Sequence, residues 1–290
     1  MPQGRIIRQT GGFYYVDTDN GVMECRARGL FRKQGITPLV GDIAQVEKTD
    51  DGKGFVIGLK ERKNSLVRPP MANIDRLLLI LSIDDPPPNI LVVDKMLAIA
   101  QYKDIDAVIV VTKADLSDTD MLCSQYRAVG YKVVSINSLA GSSEEIAALI
   151  KGKLCVLAGN TGVGKSTLLN AIDPELALKT GETSQKLGRG RHTTRVTELF
   201  ELCGGLIADT PGFSSLETAQ LELIKKDKLE LCFREFEPYL GRCRFTGCSH
   251  TKEKGCAILS AVASGEISLS RHESYLVMYQ EARQIKEWEV

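Results

Sequence analysis

Long apolar runs are missing from this sequence of 290 residues, and no stretch approaches the roughly eighteen apolar residues of a membrane-spanning helix. The start of the chain, MPQGRIIRQTGGFYYV, also lacks the apolar core of a secretory signal peptide. These absences argue against transporters, receptors and secreted proteins. We therefore expect a cytoplasmic protein that has no membrane partner.

An excess of charge of one sign is also missing, because Lys+Arg and Asp+Glu number 37 each. The balance is uneven, however, since residues 1–68 contain 12 basic and 8 acidic side chains, a net charge of 12 − 8 = +4. A modestly basic region permits contact with an anionic polymer, and an ordinary solvated surface explains it equally well. Nothing in the sequence indicates an oligomer, so we take a monomer as the default.

The length and the changes of pattern along the chain predict three domains. Residues 1–68 contain short apolar stretches separated by Asp-Asn-Gly and Asp-Asp-Gly turns, which predict a small β-barrel of the OB type or, alternatively, the SH3 type. Residues 69–215 alternate between strand and helix patterns, as in a doubly wound α/β sheet. Residues 216–290 combine irregular loops with helices, the last expected over 270–288. The predicted strands of the middle domain are 77–81, 107–111, 132–135 and 154–157, its predicted helices are 90–102, 118–129, 142–151 and 165–172, and a hairpin is expected at 195–202 and 206–209.

A phosphate-binding loop follows the predicted strand 154–157. Its residues are Gly159, Asn160, Thr161, Gly162, Val163, Gly164, Lys165 and Ser166, which fit G-x-x-x-x-G-K-[ST], and Thr167 continues into a helical pattern. The glycines let backbone N–H groups surround a phosphate. Lys165 is predicted to contact the β- and γ-phosphates, and the Ser166 hydroxyl to bind Mg²⁺.

Two further segments are predicted to complete the phosphate site. Asp209 ends a predicted strand and can hold Mg²⁺ through water, while the N–H of Gly212 can contact a γ-phosphate and release it after hydrolysis. The polar stretch 173–195 is long enough to be a functional loop, in which Thr193 or Thr194 supplies a second hydroxyl to Mg²⁺. The alternative for this stretch is a solvated loop.

A guanine-reading motif is predicted at Thr112, Lys113, Ala114 and Asp115, directly after the strand 107–111. The Asp115 carboxylate can accept hydrogen bonds from the N1–H and the amino group of guanine, a donor pair that adenine lacks. The stem of Lys113 can cover the base. Thr112 replaces the usual Asn, and its hydroxyl can supply only part of the amide's hydrogen bonds.

The motif order is unusual, because the guanine-reading motif precedes the phosphate loop, whereas it follows that loop in an ordinary small GTPase. The order predicts a circularly permuted domain whose chain exits just after Asp209 and Gly212. We therefore expect the following domain to take different orientations in the GTP and GDP states.

A cysteine–histidine cluster lies beyond this exit. Cys243, Cys248, His250 and Cys256 occupy fourteen residues, and three thiolates with one imidazole suit a closed, structural Zn²⁺ site. The metal would replace the apolar core that this short segment lacks. The other cysteines are expected to be small buried hydrophobic residues; they are Cys25, Cys123, Cys155, Cys203 and Cys232.

Together these motifs resemble the circularly permuted bacterial GTPases called ribosome small-subunit-dependent GTPase A. The resemblance covers essentially the whole chain and rests on T-K-A-D before G-N-T-G-V-G-K-S-T, followed by G-R-G-R-H-T-T, D-T-P-G-F and C-x₄-C-x-H-x₅-C. It implies a multidomain α/β protein with an N-terminal OB barrel, a permuted P-loop GTPase domain and a C-terminal helical zinc-binding domain. It also implies GTP and GDP as ligands and an assembly factor of the small ribosomal subunit that contacts rRNA and hydrolyses GTP slowly until the subunit stimulates it.

The position that often carries a water-orienting Gln in GTPases is Phe213, which cannot orient water. Slow intrinsic hydrolysis is therefore expected, and His192 is the candidate for positioning water, in line with the resemblance. Three alternatives remain at this point. They are an RNA-binding module with negligible catalysis, a P-loop ATPase, and a structural zinc protein, of which the last does not explain the phosphate loop.

Overall fold

The computed structural model describes residues 2–50, 52–67, 69–136, 143–160, 162–173, 197–209 and 223–284. It begins with five strands, β1 (Gln3–Thr10), β2 (Phe13–Thr18), β3 (Gly21–Ala27), β4 (Ile43–Lys48) and β5 (Gly54–Leu59), with a short helix α1 (Gly29–Lys33) between β3 and β4. The strands pair in the order β1-β2-β3-β5-β4, and a further β1–β4 pairing closes the barrel. This order, with β3 and β5 parallel, is that of the OB-fold.

Alternation of side chains explains the closed barrel. Ile6, Val16, Val46 and Val56 point inward and are fully buried, while their neighbours along each strand are more exposed. The predicted turn between β2 and β3 is present, and Gly21 adopts a φ of 95°, which glycine reaches at no steric cost. The predicted five-stranded barrel is therefore confirmed.

The middle of the chain forms a second region around a mostly parallel sheet. A two-stranded ribbon, β6 (Ser65–Leu66) with β7 (Met71–Ala72), precedes it. The sheet strands are β8 (Arg76–Ser82), β9 (Asp106–Thr112), β10 (Lys132–Ser135), β11 (Leu154–Ala158), β12 (Thr197–Leu202) and β13 (Gly205–Asp209), in the order β10-β9-β8-β11-β13-β12. Its helices are α2 (Ile90–Tyr102), α3 (Asp120–Ala128), α4 (Ser143–Ile150) and α5 (Lys165–Ile172).

The parallel strands explain where a site can form. Strands β8 to β11 and β13 run parallel, and only β12 runs antiparallel to its neighbour β13. Strands such as β8 and β9 are almost continuously apolar and buried, because helices cover both faces of such a sheet. Their carboxyl ends consequently share one edge, and ligands of open α/β sheets bind at that edge.

The barrel and the middle region share one continuous sheet of eleven strands, a feature that the sequence did not predict. Strand β1 pairs antiparallel with β12, with Arg8 opposite Glu198 and Gln9 opposite Thr197. An ion pair of 3.5 Å between the side chains of Arg8 and Glu198 lies over this junction.

The C-terminal region contains α6 (Lys226–Leu229), two 3₁₀ turns at Glu230–Cys232 and Arg234–Tyr239, α7 (Ala257–Ala263) and α8 (Leu269–Ala282). The last helix begins one residue before the predicted 270–288 and ends earlier, at Ala282, and the N–H of the C-cap residue Arg283 still donates to the carbonyl of Tyr279. Residues 285–290 lie outside the described residues. Within the part of the chain that the structure describes, no helix is long and apolar enough to cross a membrane.

The expectation for the scattered cysteines is wrong at one position. Cys25, Cys123, Cys155 and Cys232 are buried, as predicted, but Cys203 is exposed. Cys203 lies in the tight turn between β12 and β13 with a φ of 51°, so its side chain projects from the hairpin rather than into a core.

Candidate nucleotide and metal sites

The phosphate loop connects the end of β11 with the start of α5. Gly159 leaves the strand so close to β8 that a Cβ there would lie 2.3 Å from the carbonyl oxygen of Ile80, and only glycine fits. Gly164 caps α5 with a φ of 92°. Gly162 is exposed, whereas Val163 is buried beneath the loop. The loop therefore presents backbone at the N-terminus of a helix, where anions bind.

Lys165 folds back over this loop. Its ammonium group donates hydrogen bonds of 2.5 and 2.7 Å to the carbonyl oxygens of Gly159 and Asn160. Burial lowers the pKa of Lys165. A phosphate in the loop would offer this half-buried cation negatively charged acceptors in place of neutral carbonyl groups, which favours binding of the anion.

Several predicted phosphate-site residues are described only in part. Thr167 is exposed on the first turn of α5. For Ser166 and Asp209 the structure describes only the backbone, which places them at the start of α5 and at the end of β13. Thr161, His192, Thr193, Thr194 and Gly212 lie outside the described residues. The roles predicted for these residues stay predictions.

Thr112 connects the end of β9 with the phosphate loop. Its side chain is 6% exposed, and its hydroxyl lies 2.7 Å from the carbonyl oxygen of Val163 and 3.1 Å from that of Leu81. A single hydroxyl hydrogen serves both acceptors, so the Thr replaces an Asn only incompletely. Both hydrogen bonds of the hydroxyl are made within the protein. They hold the end of β9 at a fixed distance from the phosphate loop.

The rest of the guanine motif turns outward at the end of β9. Lys113 has a φ of 58°, in the left-handed region, and its ammonium group contacts the carbonyl oxygen of Asp85. The N–H of Ala114 donates to the carbonyl of Ile136 at 3.2 Å, which fixes the turn on β10. Asp115 follows with an exposed side chain. The structure thus keeps this carboxylate in reach of a ligand.

The segment after β8 also belongs to this pocket, which the sequence did not predict. A Cβ on Gly162 would lie 3.4 Å from the ring of Pro86, so the proline packs beside the phosphate loop. The carbonyl of Asp85, next to it, holds Lys113. The run of three prolines was visible in the sequence, but no spacing rule links such a run to a phosphate loop that follows seventy residues later.

The residues of this edge fit a guanine nucleotide with Mg²⁺. The loop could supply backbone N–H groups and Lys165 to phosphates, and the exposed Asp115 could supply a carboxylate to a base. The two are joined through Thr112 at one edge of the sheet. A bound Mg²⁺ would neutralise phosphate charge during transfer of the γ-phosphoryl group.

The cysteine–histidine cluster in the C-terminal region has the spacing of a tetrahedral ligand set. The ligand atoms of Cys243, Cys248, His250 and Cys256 all lie within 4.8 Å of one another. The Sγ atoms of Cys243 and Cys256 are 3.8 Å apart, and the Nδ1 of His250 lies 3.6 and 3.4 Å from them. Tetrahedral Zn²⁺ with Zn–S bonds of about 2.3 Å spaces sulfur ligands about 3.8 Å apart. The donor set therefore fits zinc.

Neighbouring groups orient these ligands. The Nε2 of His250 lies 2.7 Å from the carboxylate of Glu230, which leaves Nδ1 as the nitrogen that could bind a metal. The N–H groups of Ala257 and Leu259 point at the sulfur atoms of Cys243 and Cys256, at 3.3 and 3.4 Å. Glu230 was missed from the sequence, because a single carboxylate twenty residues from the histidine gives no recognisable pattern.

Two of the cluster's thiols ionise less readily than a free cysteine. Burial raises the pKa of Cys248 to about 12, and it also raises the pKa of Cys256. A bound Zn²⁺ would supply the positive charge that converts the thiols to thiolates, with release of protons.

The C-terminal region, here also called the zinc region for its candidate ligands, is fastened to the middle region by a buried ion-pair network. Arg271 of α8 is 1% exposed and donates hydrogen bonds of 2.6 Å to both Asp94 of α2 and Glu235. Tyr126 of α3 donates to the same Asp94 at 2.8 Å. Burial alone would lower the pKa of Arg271, but the carboxylates of Glu235 and Asp94 raise it, so the guanidinium stays charged.

Comparison with known proteins agrees with this arrangement. A family model described as RsgA GTPase matches residues 59–219, and one described as RsgA N-terminal domain matches residues 3–56. A curated relative from Caldanaerobacter subterraneus subsp. tengcongensis, named small ribosomal subunit biogenesis GTPase RsgA, is 44% identical over 97% of this chain and 96% of its own. A relative of the same name from Geobacillus kaustophilus is 43% identical over 99% of each chain.

Solved structures share the fold over nearly the whole chain. The crystal structure of YloQ, described as a circularly permuted GTPase, is 37% identical with a TM-score of 0.78, over 99% of this chain and 96% of that one. The crystal structure of YjeQ from Thermotoga maritima is 31% identical with a TM-score of 0.81, over 98% and 99%. The predicted circular permutation is confirmed by this likeness.

Proposed function

Because this chain belongs to the RsgA GTPase family and is therefore a GTP hydrolase, we propose that it acts in late maturation of the small ribosomal subunit. The proposal rests on how much of this chain aligns with its relatives. Relatives named for biogenesis of that subunit align with 97 to 99% of the chain, the zinc region included. In the proposal, docking on the subunit stimulates hydrolysis of GTP to GDP and phosphate, and the flanking regions contact rRNA. The protein works as a cytoplasmic monomer.

The nucleotide roles follow from the sheet edge. The phosphate loop with Lys165 holds the phosphates, and the T-K-A-D turn with Asp115 reads guanine. Ser166 binds Mg²⁺ together with one of the two threonines 193–194, while Asp209 holds the ion through water and Gly212 contacts the γ-phosphate. The four ligands at 243–256 hold one structural zinc ion. The domain boundaries are 1–68, 69–215 and 216–290.

The hydrolytic step needs a group that orients water, and we assign it to His192. Phe213 has no hydrogen-bonding group in its side chain. Intrinsic hydrolysis is therefore slow, and docking on the subunit brings His192 to the attacking water. The zinc region follows the γ-phosphate sensor in the chain, and it also grips α2 through Arg271. Any reorientation between nucleotide states therefore carries α2 along with the zinc region.

The deciding experiment measures GTP hydrolysis by the purified protein alone, with isolated small subunits and with isolated large subunits. We expect stimulation by the small subunit only. Equal rates in all three reactions would contradict the proposed role. A His192→Ala variant should bind nucleotide and subunits normally but lose the stimulation, and a normal stimulated rate would remove His192 from the mechanism.

A further inference from the structure

One buried carboxylate joins three helices from two regions of the molecule. Asp94 of α2 is fully buried, and its Oδ1 atom accepts hydrogen bonds from Arg271 of α8 at 2.6 Å and from Tyr126 of α3 at 2.8 Å. Arg271 supplies the positive charge that a buried carboxylate needs, whereas Tyr126 supplies only a hydrogen bond. The negative charge therefore belongs to the middle region, and the cation that compensates it comes from the C-terminal region.

The first turn of α2 reaches the phosphate loop. The side chain of Asn89 caps this helix by accepting the N–H of Val92 at 3.3 Å. Val92 and Val93 line one small cavity together with Asn160 and Val163 of the phosphate loop. A displacement of α2 therefore changes the packing beneath the phosphate loop.

The segment between β8 and α2 also contacts the T-K-A-D turn. The N–H of Ile83 donates to the carbonyl of Thr112 at 3.3 Å, and the carbonyl of Asp85 accepts from the ammonium group of Lys113. Helix α3 is the next helix after this turn. Both helices that meet at Asp94 are consequently connected, at their N-terminal ends, to the candidate nucleotide pocket.

The C-terminal region contacts α2 and α3 at further points. Arg234 donates to the side chain of Gln101 at the end of α2 at 2.8 Å, and to the carbonyl of Gly130, just after α3, at 3.2 Å. Gln125 of α3 donates to the hydroxyl of Ser270 on α8 at 3.0 Å. The C-terminal region thus bridges the two helices while it is docked on them.

We propose that Arg271, Asp94 and Tyr126 are positioning residues for the bound guanine nucleotide, so that docking of the C-terminal region keeps the pocket closed and its withdrawal speeds nucleotide release. A partner that pulls on this region can move α2 away from α3, which breaks the hydrogen bond of Tyr126. If α2 stays in place, withdrawal leaves the charge of Asp94 buried without a cation, which is strongly unfavourable. Both outcomes loosen the helices that lead to the pocket, while the zinc site stays intact.

This coupling rests on the proposed function, which supplies the guanine nucleotide, and it acts in both directions. If docking of the C-terminal region strengthens nucleotide binding, bound nucleotide strengthens docking by the same factor. Couplings between distant sites are commonly about 5–150-fold, and we expect about tenfold here. Most of a change in affinity is a change in the rate of dissociation. The release rate and the strength of docking are therefore two separate measurements of one quantity.

The first measurement follows release of a fluorescent GDP analogue from the full-length, zinc-loaded protein after addition of excess GDP. Arg271→Gln should release the analogue about tenfold faster than the unaltered protein. Arg242→Gln removes the same charge at an exposed position of the C-terminal region and should leave the rate unchanged. Zinc content and circular dichroism establish that both variants are folded. Equal release rates for the two variants overturn the proposal.

A double variant separates the coupling from general damage to the fold. Asp94→Asn/Arg271→Gln removes the buried charge together with its cation and keeps a side-chain oxygen that accepts from Tyr126. It should therefore recover at least half of the change in log release rate that Arg271→Gln causes, although the C-terminal region is held more weakly. General damage would instead add up, because each substitution removes native contacts. Release as fast as in the single variant, or faster, overturns the proposal.

Hydrogen exchange of the unaltered protein tests the reverse direction and needs no variant. Amide protons of α8 exchange when the C-terminal region opens, so GDP should slow their exchange about tenfold although α8 lies in the other region. The double variant lacks the charged contact, and GDP should protect its α8 less. Exchange of α8 that stays the same when GDP saturates the unaltered protein overturns the proposal.

Stimulation of hydrolysis by small subunits is recorded in parallel and decides the proposed function separately. If stimulation is normal while GDP leaves the exchange of α8 unchanged, the coupling fails alone. If stimulation is missing, the proposed role on the subunit fails, and the release rates and hydrogen exchange still decide the coupling.

Discussion

The nucleotide pocket and the zinc centre differ in how the chain assembles them. The pocket joins the ends of several strands, so that Thr112 of β9 contacts Val163 of the phosphate loop across fifty-one positions of sequence. The proposed zinc centre takes all four of its side chains from fourteen consecutive residues. The first therefore depends on the whole sheet, whereas the second would depend on a metal that substitutes for a core.

Loss of a zinc ligand should have the largest effect. Cys256→Ser leaves three ligands, and because structural Zn²⁺ contributes about 10–16 kcal/mol in small zinc domains, we expect loss of stoichiometric zinc and unfolding of the C-terminal region. Metal analysis and limited proteolysis check this. Cys203→Ser, at the exposed cysteine, is the matched control and should retain one zinc ion. If the C-terminal region of Cys256→Ser resists protease as well as the control does, the metal is not what holds it.

A variant of the buried ion-pair network tests whether the C-terminal region and the middle region fold independently. Arg271→Ala leaves Asp94 and Glu235 without their partner, which should cost about 3–5 kcal/mol in the free energy of unfolding. Urea unfolding measures this loss. Removing the exposed pair of Lys132 and Glu145 by Glu145→Gln should cost less than about 1 kcal/mol. Equal costs for the two variants would show that the network does not fasten the regions together.

In the pocket, Lys165→Ala should weaken GTP binding about 100-fold, because a charged hydrogen bond to phosphate is worth about 1.5–3 kcal/mol. Titration with a fluorescent GTP analogue measures the dissociation constant. Lys151→Ala, at an exposed lysine outside the pocket, should bind normally. Zinc content should stay at one ion, and its loss would contradict the independence of the two sites.

Recognition of guanine is expected to depend on one oxygen atom of the Asp115 carboxylate. Asp115→Asn replaces one carboxylate oxygen by an amino group, so it should weaken GTP binding and favour xanthosine triphosphate, whose base accepts where guanine donates. Competition between the two nucleotides measures the ratio of affinities. An Asp115→Asn protein that still prefers GTP would show that another residue reads the base.

Thr112→Val should have the smallest effect. It keeps the shape of the side chain but removes the hydroxyl that joins β9 to the phosphate loop, at a cost of about 1 kcal/mol or a fivefold loss of GTP affinity. Thr112→Ser keeps the hydroxyl and should bind nearly normally. If the two variants bind GTP alike, the hydroxyl does not position the loop.

The same contrast explains what the sequence could predict. The strand–helix alternation predicted α2 and α5 at their observed bounds, and the turn signals predicted the barrel. The cysteine–histidine cluster could be recognised because its four members are neighbours in the sequence. Asp94 and Arg271 were not, since they lie 177 positions apart and each resembles an ordinary surface charge. Glu230 and Pro86 were missed for the same reason, because only folding brings them to their sites.

The pairing of β1 with β12 also protects the protein from association. Without the barrel, β12 would be the last strand of the sheet, and its N–H and carbonyl groups would be free to pair with another chain. Strand β1 covers the start of that edge, and the barrel closes on itself, so it offers no new edge in exchange. The N-terminal barrel is thus a terminal cap for the nucleotide-binding sheet, and a fragment that lacks it would expose an aggregation-prone border.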